Sequence, residues 1–157
     1  MVETITHNEQ IYGIIISKDY TKEGIDFFTP DSFSQQMGYM NRPQGYIIAP
    51  HVHNLVTRKV ELTQEVLIVK RGKIRVDFYD DMQAYLESRI ITAGDIILLA
   101  HGGHGFEILE QAEIIEVKQG PYCGERDKIR FQPVDRDKNY KIDELLWINL
   151  FRFANLI

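Results

Sequence analysis

The chain has 157 residues, 18 basic and 23 acidic side chains and a formal net charge of −5, so it is sized for one domain and offers nucleic acid no electrostatic attraction. Apolar residues make up 44% of it and charged residues 26%, ordinary globular values that exclude disorder and low-complexity behaviour. A lone cysteine, Cys123, excludes a disulfide framework within the chain and fits a reducing compartment. The N-terminus MVETITHNEQ lacks the basic and apolar regions of a signal peptide, and the longest apolar runs, such as Ile96 to Ala100, are too short to cross a bilayer. The expectation is a cytoplasmic protein with no membrane partner and no nucleic-acid partner, whose ligand is a small molecule.

In chain order, short segments of β character recur between turn signals: Tyr12 to Ser17, Gln35 to Met40, Gly45 to Ala49, Arg58 to Leu62, Glu65 to Lys70, Lys73 to Tyr79, Ser88 to Ile91, Asp95 to Leu99, His104 to Leu109 and Ala112 to Gln119. That spacing predicts an all-β sandwich or barrel. Arg71-Gly72, Ala93-Gly94 and His101-Gly102-Gly103 supply residues that tolerate positive φ, and each predicts a hairpin. Thr21 to Phe33, with Gly24 and Pro30, reads as a loop pinned by Phe27-Phe28, and Asp80 to Leu86 reads as a loop without a clear period.

No repeat or linker divides the chain, so residues 1–157 read as one domain, with a barrel core over about 35–120, an N-terminal strand and loop over 1–34 and an extension over 121–157. The last seventeen residues, KIDELLWINLFRFANLI, are dense in apolar side chains that must be covered, which makes a homodimer the expected state.

Four of the five histidines fall in two short stretches, His51 and His53 in PHVHN and His101 and His104 in AHGGHG. On a strand, residues i and i+2 share a face, so His51 and His53 would present two imidazoles to one divalent ion. Glu65, opening EVLIVK, is the natural carboxylate, with Glu61 the alternative in another register. His104, from a separate hairpin, is the fourth candidate. His101 on its glycine turn reads as a hydrogen-bonding or exposed residue, and His7 as surface. Arg75, Asp77 and Tyr79 alternate with Ile74, Val76 and Phe78, and Glu116 and Lys118 with Ile115 and Val117, so both sets read as solvated outer faces. Tyr122, Glu125, Arg126 and Lys128 follow the last strand, where a loop could close over a barrel mouth or meet a second subunit.

Gly45-YIIAP-His51-Val-His53 followed by Glu65-VLIVKR-Gly72 resembles both halves of the first cupin motif, and Gly94-DIILLAHGG-His104 resembles the second. The resemblance covers roughly residues 45 to 109. It implies a double-stranded β-helix, the cupin jelly-roll barrel, often dimeric. It also implies a divalent metal (iron, manganese, nickel or zinc) held by His51, His53, Glu65 and His104. The chain departs from the pattern in the eleven-residue stretch NLVTRKVELTQ before Glu65, where the family has three or four residues, and in Ala100 standing where the family has proline.

Three functional expectations follow. The first is a metal-binding cupin, an enzyme such as an oxygenase or isomerase, acting on or binding a sugar derivative or organic acid in the barrel mouth. The second is a metal-independent cupin resembling nucleotide-sugar isomerases and epimerases, with His53 or His104 as proton carrier. The third is a non-enzymatic module that binds a small molecule.

Overall fold

The structure is a computed structural model that describes residues 1–121 and 123–134. The chain divides into two units, Met1–Asp127 and Lys128–Ile157. Among the described residues all regular elements belong to the first. They are β1 (Val2–His7), β2 (Gln10–Ile16), β3 (Gly24–Phe27), β4 (Gly38–Asn41), β5 (Glu65–Tyr79), β6 (Tyr85–Thr92), β7 (Ile96–Leu99), β8 (Gly103–Lys118) and a 3₁₀ turn at Gly124–Asp127. The described part of the second unit, 128–134, has no helix or strand, and the apolar tail from Lys141 onward lies outside the described residues.

The chain is all-β, as expected, and its main antiparallel sheet is curled into a half-barrel. Strands run in the order β1-β2-β7-β5-β6, with β8 along the opposite edge of β5. β6 and β7 share one edge of β5, β6 facing Lys73–Tyr79 and β7 facing Glu65–Ile68. The pairings among the described residues show this half-barrel and not a full jelly roll, with β3 and β4 forming a separate two-stranded sheet.

The anticipated hairpin at Arg71-Gly72 is absent, and its two expected strands are one fifteen-residue strand, β5. Gly72 instead sits in a bulge at φ +83°, against β8, where any Cβ would overlap the Gln111 carbonyl oxygen. The bulge changes the alternation by one residue. Leu67 and Val69 before it, and Ile74, Val76 and Phe78 after it, therefore share one core with Ile5, Tyr12, Ile15, Ile91, Ile97 and Leu99. Residues of opposite parity, Ile14, Ile16, Leu98 and Ala100, form a second core on the other face. Phe28 and Phe33, from the stretch Thr21 to Phe33 read as a pinned loop, cover that face together with Tyr20 and Met37. Phe28 does the pinning, while Phe27 lies in β3, a strand not anticipated in sequence.

A turn at Ala93-Gly94 does form, between β6 and β7, and Asp95 fixes it, but the two strands pair with β5 and not with each other, so it closes no hairpin. One Asp95 carboxylate oxygen accepts the Lys18 backbone N–H at 2.8 Å, and the other accepts the backbone N–H and hydroxyl of Thr92, each at 2.8 Å. Burial alone would raise the Asp95 pKa, but these donors outweigh it and the group lies below its ordinary value. Arg89 on β6 reaches back to Glu3 on β1 at 2.6 Å, a tie between the start of the chain and the far arm of the sheet.

Two expected strands, Gly45 to Ala49 and Arg58 to Leu62, are not formed. Residues 42–64 make no ladder at all, and their apolar side chains are exposed, Val52 at 91%. β propensity here has no neighbouring strand to pair with, and Pro43 and Pro50 remove two of the donors a ladder needs. The solvated face expected for Arg75, Asp77 and Tyr79 is also corrected: Asp77 and Tyr79 are each 3% exposed. Asp77 accepts from Arg75 Nε at 2.9 Å and from the Ser88 hydroxyl at 2.6 Å, and Arg75 also pairs with Glu107. A charged side chain reads as exposed from sequence because its partners come from β6 and β8, which only the ladder register brings alongside.

Candidate functional site

Cross-strand partners in an antiparallel ladder project from the same face. β5 and β8 therefore place Glu65 beside Lys118, Leu67 beside Glu116, Val76 beside Phe106 and Phe78 beside His104, all on the face of the first core. The curl of the sheet makes that face concave and brings its two ends together. His104 Nε2 lies 3.2 Å from Glu65 Oε2, and Lys118 Nζ lies 3.5 Å from Glu65 Oε1 and 2.7 Å from Glu116.

This is a small polar centre on an apolar wall. The Glu65 side chain is 13% exposed, those of His104 and Lys118 about a quarter, and Phe106 tilts against the imidazole at 5.4 Å between ring centres. The His104 hydrogen bond holds the Glu65 carboxyl down at about 2; burial opposes the shift, and the charges of His104 and Lys118 add to it. Lys118 is pushed up, chiefly by its hydrogen bond to Glu116 and against its own desolvation. The carboxylate is thus ionised throughout the physiological range. His104 faces the carboxylate through Nε2, so a proton on that nitrogen points at Glu65 and Nδ1 is the ring nitrogen turned away from it.

Of the four expected metal ligands the structure brings two together, Glu65 and His104. His51 and His53 lie on the exposed 42–64 segment, their rings edge to face at 5.3 Å, with His51 Nδ1 3.0 Å from the Ala49 carbonyl oxygen. Glu61, the alternative carboxylate, pairs with Lys59. Among the described residues no group of three or more His, Cys, Asp or Glu side chains is placed to hold a metal ion. In this arrangement the donors make two separate pairs, and they do not fit one ion.

Lys118 and Glu116 are the site residues that sequence reasoning assigned elsewhere. Their alternation with Ile115 and Val117 was correct, but the register puts them on the face of the first core, Glu116 opposite Leu67 and Lys118 opposite Glu65. The signal that could have found them is the position of Lys118 at the end of the strand that must pair antiparallel with the one Glu65 opens.

His101 serves as a hydrogen-bonding turn residue, as expected, with Nε2 3.2 Å from Asp81 Oδ2 and its ring edge on to Tyr12 at 5.2 Å. Two further cavities, about 260 and 630 Å³, adjoin residues 31–36 and the segment leading to Leu62. Among the described residues no helix is long and apolar enough to cross a membrane. Compared with known protein families, curated proteins and solved structures, the chain matches none of them.

Proposed function

We propose that the half-barrel binds a small polar molecule on its concave face and that His104 exchanges a proton with it. The observation that carries this reading is the 3.2 Å contact between Glu65 and His104 Nε2. A carboxylate that fixes the tautomer leaves Nδ1 as the proton acceptor, and the same carboxylate stabilises the imidazolium formed when Nδ1 takes a proton. Lys118 keeps Glu65 ionised in either state, while Phe106 and Ile108 offer an apolar surface beside the polar centre. The substrate class that suits this centre is a sugar derivative or organic acid with a proton that a neutral imidazole can remove.

A thermal-shift screen of sugar derivatives and 2-oxo acids tests the binding half, since a ligand of the native state raises its apparent stability. Exchange of ligand C–H for deuterium in D₂O tests the proton transfer. The reading expects a stabilising ligand whose exchange disappears in His104→Gln. It fails if the exchange survives that substitution.

A second reading keeps the divalent metal. It is favoured by the closeness of His51 and His53 and by their place on the segment that runs directly into Glu65. Metal analysis of the purified chain separates the two readings: stoichiometric metal lost in a His51→Ala, His53→Ala double variant favours the second, and its absence after incubation with iron, manganese, nickel or zinc favours the first.

A further inference from the structure

The larger cavity, about 630 Å³, lies between the β3–β4 hairpin with the loop that follows β3 on one side and Arg58-Lys59 on the other. It is within the usual volume range of a small-molecule site, roughly 300–1,000 Å³. It shares no residue with the Glu65–His104 centre, so its fate is independent of the proton-transfer reading.

Three features make it a built surface. Phe27 is 62% exposed yet held in place, because Gly38, its ladder partner, has no side chain: a Cβ there would stand 2.9 Å from the Phe27 ring. The ring packs on bare backbone and presents its remaining surface to the groove. The loop over residues 29–37 is also braced. Thr29 Oγ1 donates to Gln36 Oε1 at 3.0 Å and accepts the Met37 N–H at 3.1 Å, and Gln36 Nε2 donates to the carbonyl oxygens of Pro30 at 2.9 Å and Phe33 at 3.0 Å. That network fixes the backbone carrying Asp31 and Ser32, which both line the groove. Arg58, across from them, forms no ion pair with a carboxylate among the described residues and donates to the Val56 carbonyl oxygen at 3.5 Å.

An aromatic ring, a carboxylate, a hydroxyl and a guanidinium in no direct ion pair around one groove suit a particular ligand chemistry. The carboxylate accepts from hydroxyl donors, the serine hydroxyl donates and accepts, and the guanidinium takes an acid group through two parallel bonds. The apolar face of a saturated ring rests on the aromatic one. Lys59 is neutralised by Glu61, and Asp31 offsets Arg58, so the groove has no net charge with which to hold a polyphosphate. We propose that this groove binds a saccharide bearing a single acidic group, its ring on Phe27, its hydroxyls at Asp31 and Ser32 and its acid at Arg58.

Saturation-transfer NMR on the full chain with glucuronate, glucose and adenosine monophosphate as probes tests it. Transfer is expected to the ring protons of glucuronate, more strongly than to those of glucose and of the nucleotide. Phe27→Ala should weaken glucuronate binding roughly threefold to tenfold. Arg58→Gln, on an exposed segment where folding is not at stake, should bring glucuronate down to the level of glucose. Absence of transfer to either sugar, equal transfer to both in the wild type, a stronger response to the nucleotide, or an unchanged response in a Phe27→Ala chain of native far-UV CD spectrum would each overturn the proposal.

Discussion

Glu65 and His104 touch although the ladder holds them far apart: the partner of His104 on β5 is Phe78, thirteen residues beyond Glu65 on the same strand. In a straight strand that separation is roughly 43 Å, at about 3.3 Å per residue. A 3.2 Å contact therefore reports the curl of the sheet as directly as any single distance can. Around Gly72 the register slips against β8 three times, between Val69 and Arg71, Arg71 and Lys73, and Lys73 and Ile74. Irregularity of this kind bends and twists a strand, and Gly72 supplies the positive φ it needs in the middle of β5.

Removing that freedom has a definite consequence. Gly72→Ala places a side chain at positive φ and against the β8 backbone, so it should lower the unfolding free energy by about 2–4 kcal/mol. Urea denaturation measures this. A loss below about 0.5 kcal/mol, the level of an ordinary surface substitution, contradicts the bulge.

Asp77 separates the sequence reading from the structural one. As a residue on a solvated face it would tolerate Asp77→Ala within about 0.5 kcal/mol. Buried and hydrogen-bonded to Arg75 and Ser88, it should cost about 2–4 kcal/mol, since the guanidinium loses an acceptor with which it shares a largely enclosed site. Chemical denaturation of the variant beside Ser88→Ala, where the smaller cost is expected, distinguishes the two.

Acid should weaken the fold through Glu65. Its carboxyl is at about 2 in the folded chain against 4.5 unperturbed, so the folded state binds this proton less readily than the unfolded state does. The stabilisation is whole above about pH 4.5 and is lost as pH falls through 2. At about 1.4 kcal/mol per pKa unit, discounted for the part of the side chain that meets water, this amounts to about 2–3 kcal/mol. The difference in unfolding free energy between wild type and Glu65→Gln, followed from pH 6 to pH 2, should shrink by that amount. A difference that stays constant with pH contradicts the shifted carboxyl.

Much of this fold could be read from the chain. Alternation marked Ile74, Val76 and Phe78 as one face and Glu65 and His104 as the chemically interesting positions, because side-chain period and residue type are local properties. Local reading failed where the answer depended on a partner strand. Gly72 reads equally as a hairpin turn or a bulge until the position of β8 is known. Tyr46 to Ala49 has strand propensity and no strand to pair with. Asp77 and Lys118 look like solvated charges until the register sets Ser88 beside the first and Glu65 beside the second. His51 and His53 keep the spacing of a ligand pair, yet the proximity of that pair to Glu65 is a property of the segment between them, which no periodicity describes.

A double-mutant cycle on Glu65→Gln and His104→Gln, with unfolding free energies taken at pH 7, tests the contact from which the concave site is built. Two groups 3.2 Å apart in a partly buried charge-assisted hydrogen bond should show a coupling energy of about 1–2 kcal/mol, the double variant losing that much less than the two single losses combined. Strictly additive losses, with coupling below about 0.3 kcal/mol, would mean that the two ends of the sheet do not meet.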